Sequence, residues 1–307
     1  MCAIFGVLDY KGKLNAVQRL RMVKALGTAA EIRGTDATGI AFFQRDKLCI
    51  QKSPKPAHKM KYRIPADAHY IMGHTRFATQ GNAKQNQNNH PFPGKAGKQA
   101  FSLAHNGVLT NDWELQFSEN LPKTDIKTDS FVAVQLIEKQ KELSFESIQT
   151  MAEKVRGSFT FTILEQDGLY FVKGENPLTI YHYTELGVYL YASTEQILEN
   201  TLFSLKMEEA EYEAIDLEAG DILKIDNHGQ QMLDSFQIDN PLIYWPPYDL
   251  FTPKQKRSKS HVTQQEYIQA MKNVAVSHGL EAEDIDTLIA DGYTLDDIEN
   301  IIYYEHY

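Results

Sequence analysis

Cys2-Ala3-Ile4-Phe5-Gly6-Val7-Leu8 stands at the head of the chain behind a single methionine. Ala3 to Leu8 reads as a first strand, with Cys2 directly before it. Methionine excision favours small second residues, so loss of Met1 would leave Cys2 with a thiol and a free α-amine on the same carbon. Reference pKa values of about 7.7 to 8.0 for the amine and about 8.5 for the thiol let this one residue hold a nucleophile and its own base near neutral pH. The alternative is a small apolar side chain packed at the strand's start. Position 2 alone does not choose between them.

The chain has 307 residues, 42% hydrophobic and 11% aromatic, which suits one large domain or two of moderate size with a full core. Two cysteines, Cys2 and Cys49, make no disulfide framework, and neither a basic-then-apolar leader nor a long apolar span is read. A cytoplasmic protein with no membrane partner is expected. Cys49 falls in a predicted strand as a packing residue. The net charge of −10 argues against nucleic acid as a partner. Acidic residues concentrate at the end, with nine between Glu281 and Tyr307 and no Lys or Arg among them.

Up to about Asp239 the pattern predicts strands at 3–8, 39–43, 47–51, 69–76, 101–105, 158–164, 169–173, 178–183, 188–192 and 221–225, with helices at 15–30, 130–141 and 145–155. Short polar turns such as Gln44-Arg45-Asp46 favour antiparallel hairpins and an α+β architecture over repeated βαβ units. Pro241, Pro246, Pro247 and Pro253, with a basic run from Lys254 to Lys259, mark a linker. Beyond it, capping signals and the sets Tyr267/Met271/Val274, Ile285/Leu288/Ile289 and Ile298/Ile301/Ile302 predict three short amphipathic helices, a docking module or a cap on the main domain.

Four inner segments carry too much Gly, Asn, Asp, Arg and His for packing alone. In Arg33-Gly34-Thr35-Asp36-Ala37-Thr38-Gly39 the glycines permit a tight backbone, and Arg33 and Asp36 are placed to pair across a turn. In Gly73-His74-Thr75-Arg76-Phe77-Ala78-Thr79-Gln80-Gly81, alternation puts Tyr70, Met72, His74 and Arg76 on one strand face, with Arg76 at the end where it can fork a carboxylate. The loop that follows, to Asn89-His90-Pro91-Phe92, has seven Asn or Gln among its ten residues 80–89, and reads either as a mobile cover over a site or as a hydrated loop. His105-Asn106-Gly107 ends a predicted strand. It is either a hairpin turn or an oxyanion hole made of the Asn amide and the next backbone N–H. Lys127-Thr128-Asp129-Ser130 either caps the next helix or presents Asp129 to an ammonium group.

In this order the segments, with Arg156-Gly157-Ser158-Phe159, Asn176-Pro177-Leu178, Ala192-Ser193-Thr194-Glu195 and Leu217-Glu218-Ala219-Gly220-Asp221-Ile222, resemble the class II glutamine amidotransferases, the N-terminal-nucleophile glutaminases. The likeness is greatest to the glutaminase half of glucosamine-6-phosphate synthase and covers residues 2–238. The resemblance implies a four-layer αββα sandwich of two antiparallel sheets, here with a small C-terminal helical module. The division is then a glutaminase domain over 1–239, a Pro-rich basic linker over 240–261 and a three-helix module over 262–307.

Carried over residue by residue, the resemblance makes Cys2 the nucleophile, Asn106 and Gly107 the oxyanion holders, and Arg76 and Asp129 the partners of the glutamine α-carboxylate and α-ammonium. Phe77, Thr79 and His90 belong to the substrate-binding set, and Arg33 and Asp36 support it. No cofactor or metal is implied. A metal site from His74, His90 and His105 is the competing reading, which neither HExxH nor paired-Cys spacing accompanies. Two departures stand out: Gln80 where close relatives have His, and Phe131 where a Glu often stands. The ammonia-using half of the known members is missing, so the expectation is a glutaminase supplying a separate acceptor synthase in trans. The alternatives are a catalytically silent scaffold that recruits a partner through its C-terminal helices, and an amidase for another small amide.

Overall fold

The structure is a computed structural model that describes residues 2–77 and 81–238 and, beyond these, Ile268, Lys272, Ala275, residues 281–290 and Ile298. Met1–Asn240 forms one compact unit and Pro241–Tyr307 a second.

In the first unit the chain runs β1 (Ala3–Asp9), α1 (Ala16–Ala29), β2 (Ala37–Gln44), β3 (Lys47–Ser53), β4 (Tyr70–Arg76), β5 (Phe92–Ala96), β6 (Gln99–Leu109) and α2 (Asp112–Ser118). It continues α3 (Phe131–Gln140), α4 (Phe145–Lys154), β7 (Gly157–Glu165), β8 (Gly168–Lys173), β9 (Thr179–Tyr183), β10 (Val188–Ala192), α5 (Glu195–Leu205), β11 (Glu213–Ile215), β12 (Asp221–Asp226) and β13 (Gln231–Ser235). Seven strands form one antiparallel sheet in the order β11-β9-β10-β1-β4-β2-β3, and six form another in the order β13-β12-β8-β7-β6-β5.

Side-chain alternation explains why the sheets stack between helices. On β1, Ala3, Phe5 and Val7 pack with Val23 and Leu26 of α1 and Leu198 and Leu202 of α5, while Ile4 and Leu8 turn to the other face and meet Ala104, Leu164 and Phe171 of the second sheet. The outer face of that sheet, Leu103, Phe161 and Ile163 among others, is covered by Val134 and Ile137 of α3 and Ile148 and Met151 of α4. Three apolar layers therefore separate four structural layers, an α+β sandwich of the αββα type.

Two differences from the sequence expectation matter for the site. The strand predicted over 101–105 continues to Leu109, pairing Asn106 with Thr160 and Gly107 with Phe159 of β7, so Asn106-Gly107 is not a hairpin turn. Edge strand β5 holds Pro93 and Gly94, which weaken the strand signal; an edge tolerates Pro because one side of the strand needs no donor. Helices α2 and α5 also go beyond the predicted set.

In the second unit the described helix is α6 (Ala282–Ala290), with Ile285 buried and Lys272 Nζ paired to Asp286 at 2.6 Å. The linker and the rest of the predicted three-helix module lie outside the described residues. No helix among the described residues is long and apolar enough to cross a membrane.

Candidate active site

Strand parity gathers the chemistry. The intersheet positions of β1 are even-numbered, those of β4 include Met72, and those of β6 include Ala104, so Cys2, His74, Arg76 and Asn106 share the parity of the face between the sheets. The register Ala3 to Thr75 and Ile4 to His74 carries Cys2 alongside Arg76.

Cys2 is half-buried, and its thiol donates to the Phe77 carbonyl at 3.5 Å. Burial pushes the thiol pKa up; hydrogen bonding to the Phe77 backbone and the charge of Arg76 oppose this, while Asp129 adds to it. Arg33 Nε donates to the Cys2 carbonyl at 3.0 Å, fixing the backbone that carries the thiol. The Asp36 N–H donates to the Arg76 carbonyl at 2.9 Å, and the Asp36 charge also acts on the Arg76 guanidinium. Gly34 lets this turn lie against β4, since a Cβ there would sit 2.5 Å from the Arg76 carbonyl carbon. Arg76 itself is buried and donates from Nη1 to Asn89 Oδ1 at 2.7 Å and from Nη2 to the Gly81 carbonyl at 3.4 Å. Those bonds tie the guanidinium to both ends of the amide-rich loop. Phe77 is exposed, and Thr79 lies outside the described residues.

Asn106 is 0% exposed, yet neither its Nδ2 nor its Oδ1 has a hydrogen-bond partner. Its carbonyl accepts from Asn176 Nδ2 at 2.8 Å, and Thr160 Oγ1 donates to the Asn176 carbonyl at 2.7 Å, so the backbone is held while the side-chain amide is left open. Gly107 adopts φ +143°, and a Cβ there would come within 2.0 Å of the Ser158 carbonyl oxygen. Only glycine fits this close approach of β6 and β7. A buried, unsatisfied amide is costly unless something completes it.

Asp129 does not cap α3. Its Oδ2 accepts from the Leu109 N–H at 2.6 Å, and its Oδ1 accepts from Ser130 Oγ at 3.2 Å. Because the Ser130 hydroxyl proton goes to Asp129, Ser130 Oγ accepts from His105 Nδ1 at 2.8 Å. His74 Nε2 donates to the His105 carbonyl at 3.0 Å. The His90 ring is 4.3 Å from both the His74 and the Phe92 rings and is buried with both nitrogens unpartnered. Burial lowers the pKa of all three imidazoles, that of His74 to about 3. Among the described residues no cluster of His, Cys, Asp or Glu is arranged to hold a metal ion.

The family model for class-II glutamine amidotransferases matches residues 1–161. The chain belongs to the class II glutamine amidotransferases. Curated relatives include the glutamine--fructose-6-phosphate aminotransferase (isomerizing) of Listeria innocua, 33% identical over 184 residues that cover 57% of this chain and 30% of that protein. The Chlamydia muridarum enzyme of the same name is 31% identical over 176 residues, covering 54% of this chain and 27% of the relative. The matched stretch of this chain thus spans less than a third of those relatives. In fold it is similar to the glutamine phosphoribosylpyrophosphate amidotransferase of B. subtilis, with TM-score 0.63 and 19% identity over 78% of this chain and 50% of that one. The chain also holds features that no motif announced: the Asn89 and Gly81 ties to Arg76, the Asn176 clamp on Asn106, and the Ser130 bridge between His105 and Asp129. Asn176 and Ser130 fall inside the motifs quoted above, but their bonds join residues far apart in the chain.

Proposed function

We propose that the protein hydrolyses the side-chain amide of L-glutamine at Cys2 and that the ammonia released serves a separate acceptor synthase. The single observation that carries this reading is the open, fully buried Asn106 amide beside Gly107, on a strand parity that faces, across the layer between the sheets, the parity of Cys2 and Arg76. With Met1 removed, the Cys2 α-amine takes the thiol proton, and the sulfur attacks the glutamine Cδ. The carbonyl oxygen becomes an oxyanion that Asn106 Nδ2 and the Gly107 N–H stabilise. The α-ammonium formed on Cys2 returns its proton to the leaving nitrogen, the C–N bond breaks and ammonia departs. Water then cleaves the γ-glutamyl thioester to glutamate and free Cys2. Arg76 receives the α-carboxylate and Asp129 the α-ammonium, one fixed cation and one fixed anion for a zwitterionic head.

The test is exposure to a glutamine-mimicking electrophile followed by intact-mass analysis. A single adduct on a chain lacking Met1, absent in Cys2→Ala, is the expected result; an unmodified Cys2 or glutamate release that survives Cys2→Ala sinks the reading. A second reading, a silent scaffold, is favoured by the burial that holds the Cys2 thiol pKa up. Retained Met1 with no glutamate formed in the presence of an acceptor enzyme selects it.

A further inference from the structure

The amide-rich loop is held in place by its own amides. Asn88 Oδ1 accepts from the Lys127 N–H at 2.8 Å, Gln87 Nε2 donates to the Asp125 carbonyl at 3.2 Å, and Asn86 Nδ2 donates to the Lys52 carbonyl at 3.4 Å. These bonds pin the loop to β3 and to the segment before α3. The last amide of the loop, Asn89, lies against Arg76; the two are 1% and 3% exposed.

Asn89 Oδ1 accepts from Arg76 Nη1 at 2.7 Å, while Asn89 Nδ2 donates to the Ala83 carbonyl at 2.8 Å and to Asn86 Oδ1 at 3.3 Å. Each of these partners is one-sided. A guanidinium can only donate and a carbonyl can only accept, so the amide has one workable orientation, with its oxygen toward Arg76. A planar guanidinium on a long stem needs such a fixed acceptor to hold one rotamer.

The side chain at position 89 is also neutral, and its shape alone does not require that. An Asp there would set its second oxygen against the Ala83 carbonyl and Asn86 Oδ1, and would bring a negative charge into contact with Arg76. Asp36 and Asp129 already act on that guanidinium. An amide orients Arg76 and adds no further anion to compete with an incoming carboxylate.

On the reading that Arg76 receives the glutamine α-carboxylate, we propose that Asn89 is a positioning residue that sets the selectivity of the site for an α-carboxylate, by orienting Arg76 while adding no charge of its own. It acts through Arg76 and takes no part in the Cys2 chemistry.

Steady-state glutaminase kinetics on the full chain test this. Asn89→Asp is expected to raise KM for L-glutamine at least about tenfold with kcat changed less than about threefold; Asn89→Ala, which removes the acceptor without adding a charge, raises KM by less. Asn86→Ala, at an exposed position, loosens the same amide and raises KM about twofold, a test that stands even where the buried position does not tolerate change. 4-Aminobutanamide, which is glutamine without its α-carboxylate, is expected to inhibit wild type and Asn89→Asp equally. KM unchanged in the folded variants, a loss confined to kcat, or a matching loss of inhibition by 4-aminobutanamide overturns the proposal. A wild-type chain that releases no glutamate overturns the glutaminase reading itself, and this proposal with it.

Discussion

His74 Nε2 donates to the His105 carbonyl at 3.0 Å, a bond that crosses from β4 of one sheet to β6 of the other, one residue before Asn106. It links the strand of Arg76 to the strand of the open amide. Replacing His74 by Leu leaves that carbonyl unmet at a cost of about 1–3 kcal/mol. If the bond positions Asn106, kcat falls while KM for glutamine stays near its original value; steady-state kinetics beside a denaturant melt separates this from a purely structural loss.

Asn106 is fully buried with both polar atoms of its side chain unsatisfied. Asn106→Ala is expected to lower turnover about a hundredfold to a thousandfold with the fold retained. An unchanged rate of glutamate release contradicts its oxyanion role.

Gly107 tests the same hole from the backbone. Gly107→Ala places a methyl 2.0 Å from the Ser158 carbonyl oxygen at φ +143°, so β6 and β7 must part. The strain is on the order of 1–3 kcal/mol, and both thermal stability and glutaminase activity fall together.

Acid acts through the buried imidazoles. His74, His90 and His105 are held neutral chiefly by burial, His74 with its pKa lowered to about 3, whereas the unfolded chain titrates them near about 6.5. Between those values the unfolded state binds more protons, so stability rises with pH and is lost on acidification from about pH 6.5 toward about pH 3. The slope is at most about 1.4 kcal/mol per pH unit for each imidazole. Denaturant midpoints at about pH 7.5 and about pH 5 measure it, and a flat profile rules out the neutral cluster.

In the proposed site Asp129 and Arg76 divide the glutamine head. Asp129→Asn keeps an oxygen for the Leu109 N–H but removes the charge for an α-ammonium, so KM is expected to rise at least about tenfold with a smaller change in kcat. Equal KM values for wild type and variant return Asp129 to a purely structural role.

Much of the architecture was legible locally. The apolar run Ala3 to Leu8 gave a strand without its faces, alternation along Tyr70 to Arg76 gave a strand with the observed face, and the periodicity of Phe131, Val134 and Ile137 gave α3. Asn106-Gly107 was ambiguous for a physical reason: the same dipeptide that makes tight turns also fits a strand where a neighbour, here Ser158, leaves no room for a Cβ. Strand β5 was hidden because Pro93 lowers strand propensity without forbidding an edge. The Ser130 link between His105 and Asp129 had no local signal, since its partners belong to a strand and a helix start 25 residues apart.

The sequence by itself determined the residue types, their order and their strand parity, because side-chain alternation and propensity act over a few neighbours. That sufficed for antiparallel strands in an α+β class and for setting His74 and Arg76 on one strand face, while the two-sheet sandwich and the grouping of Cys2, Arg76 and Asn106 followed from the family resemblance. Only the tertiary structure decided which polar atoms are spent and which stay open. Hydrogen bonding is settled by partners brought together across the fold, and those partners secure the Asn106 carbonyl and Asp129 while leaving the Asn106 amide unfilled.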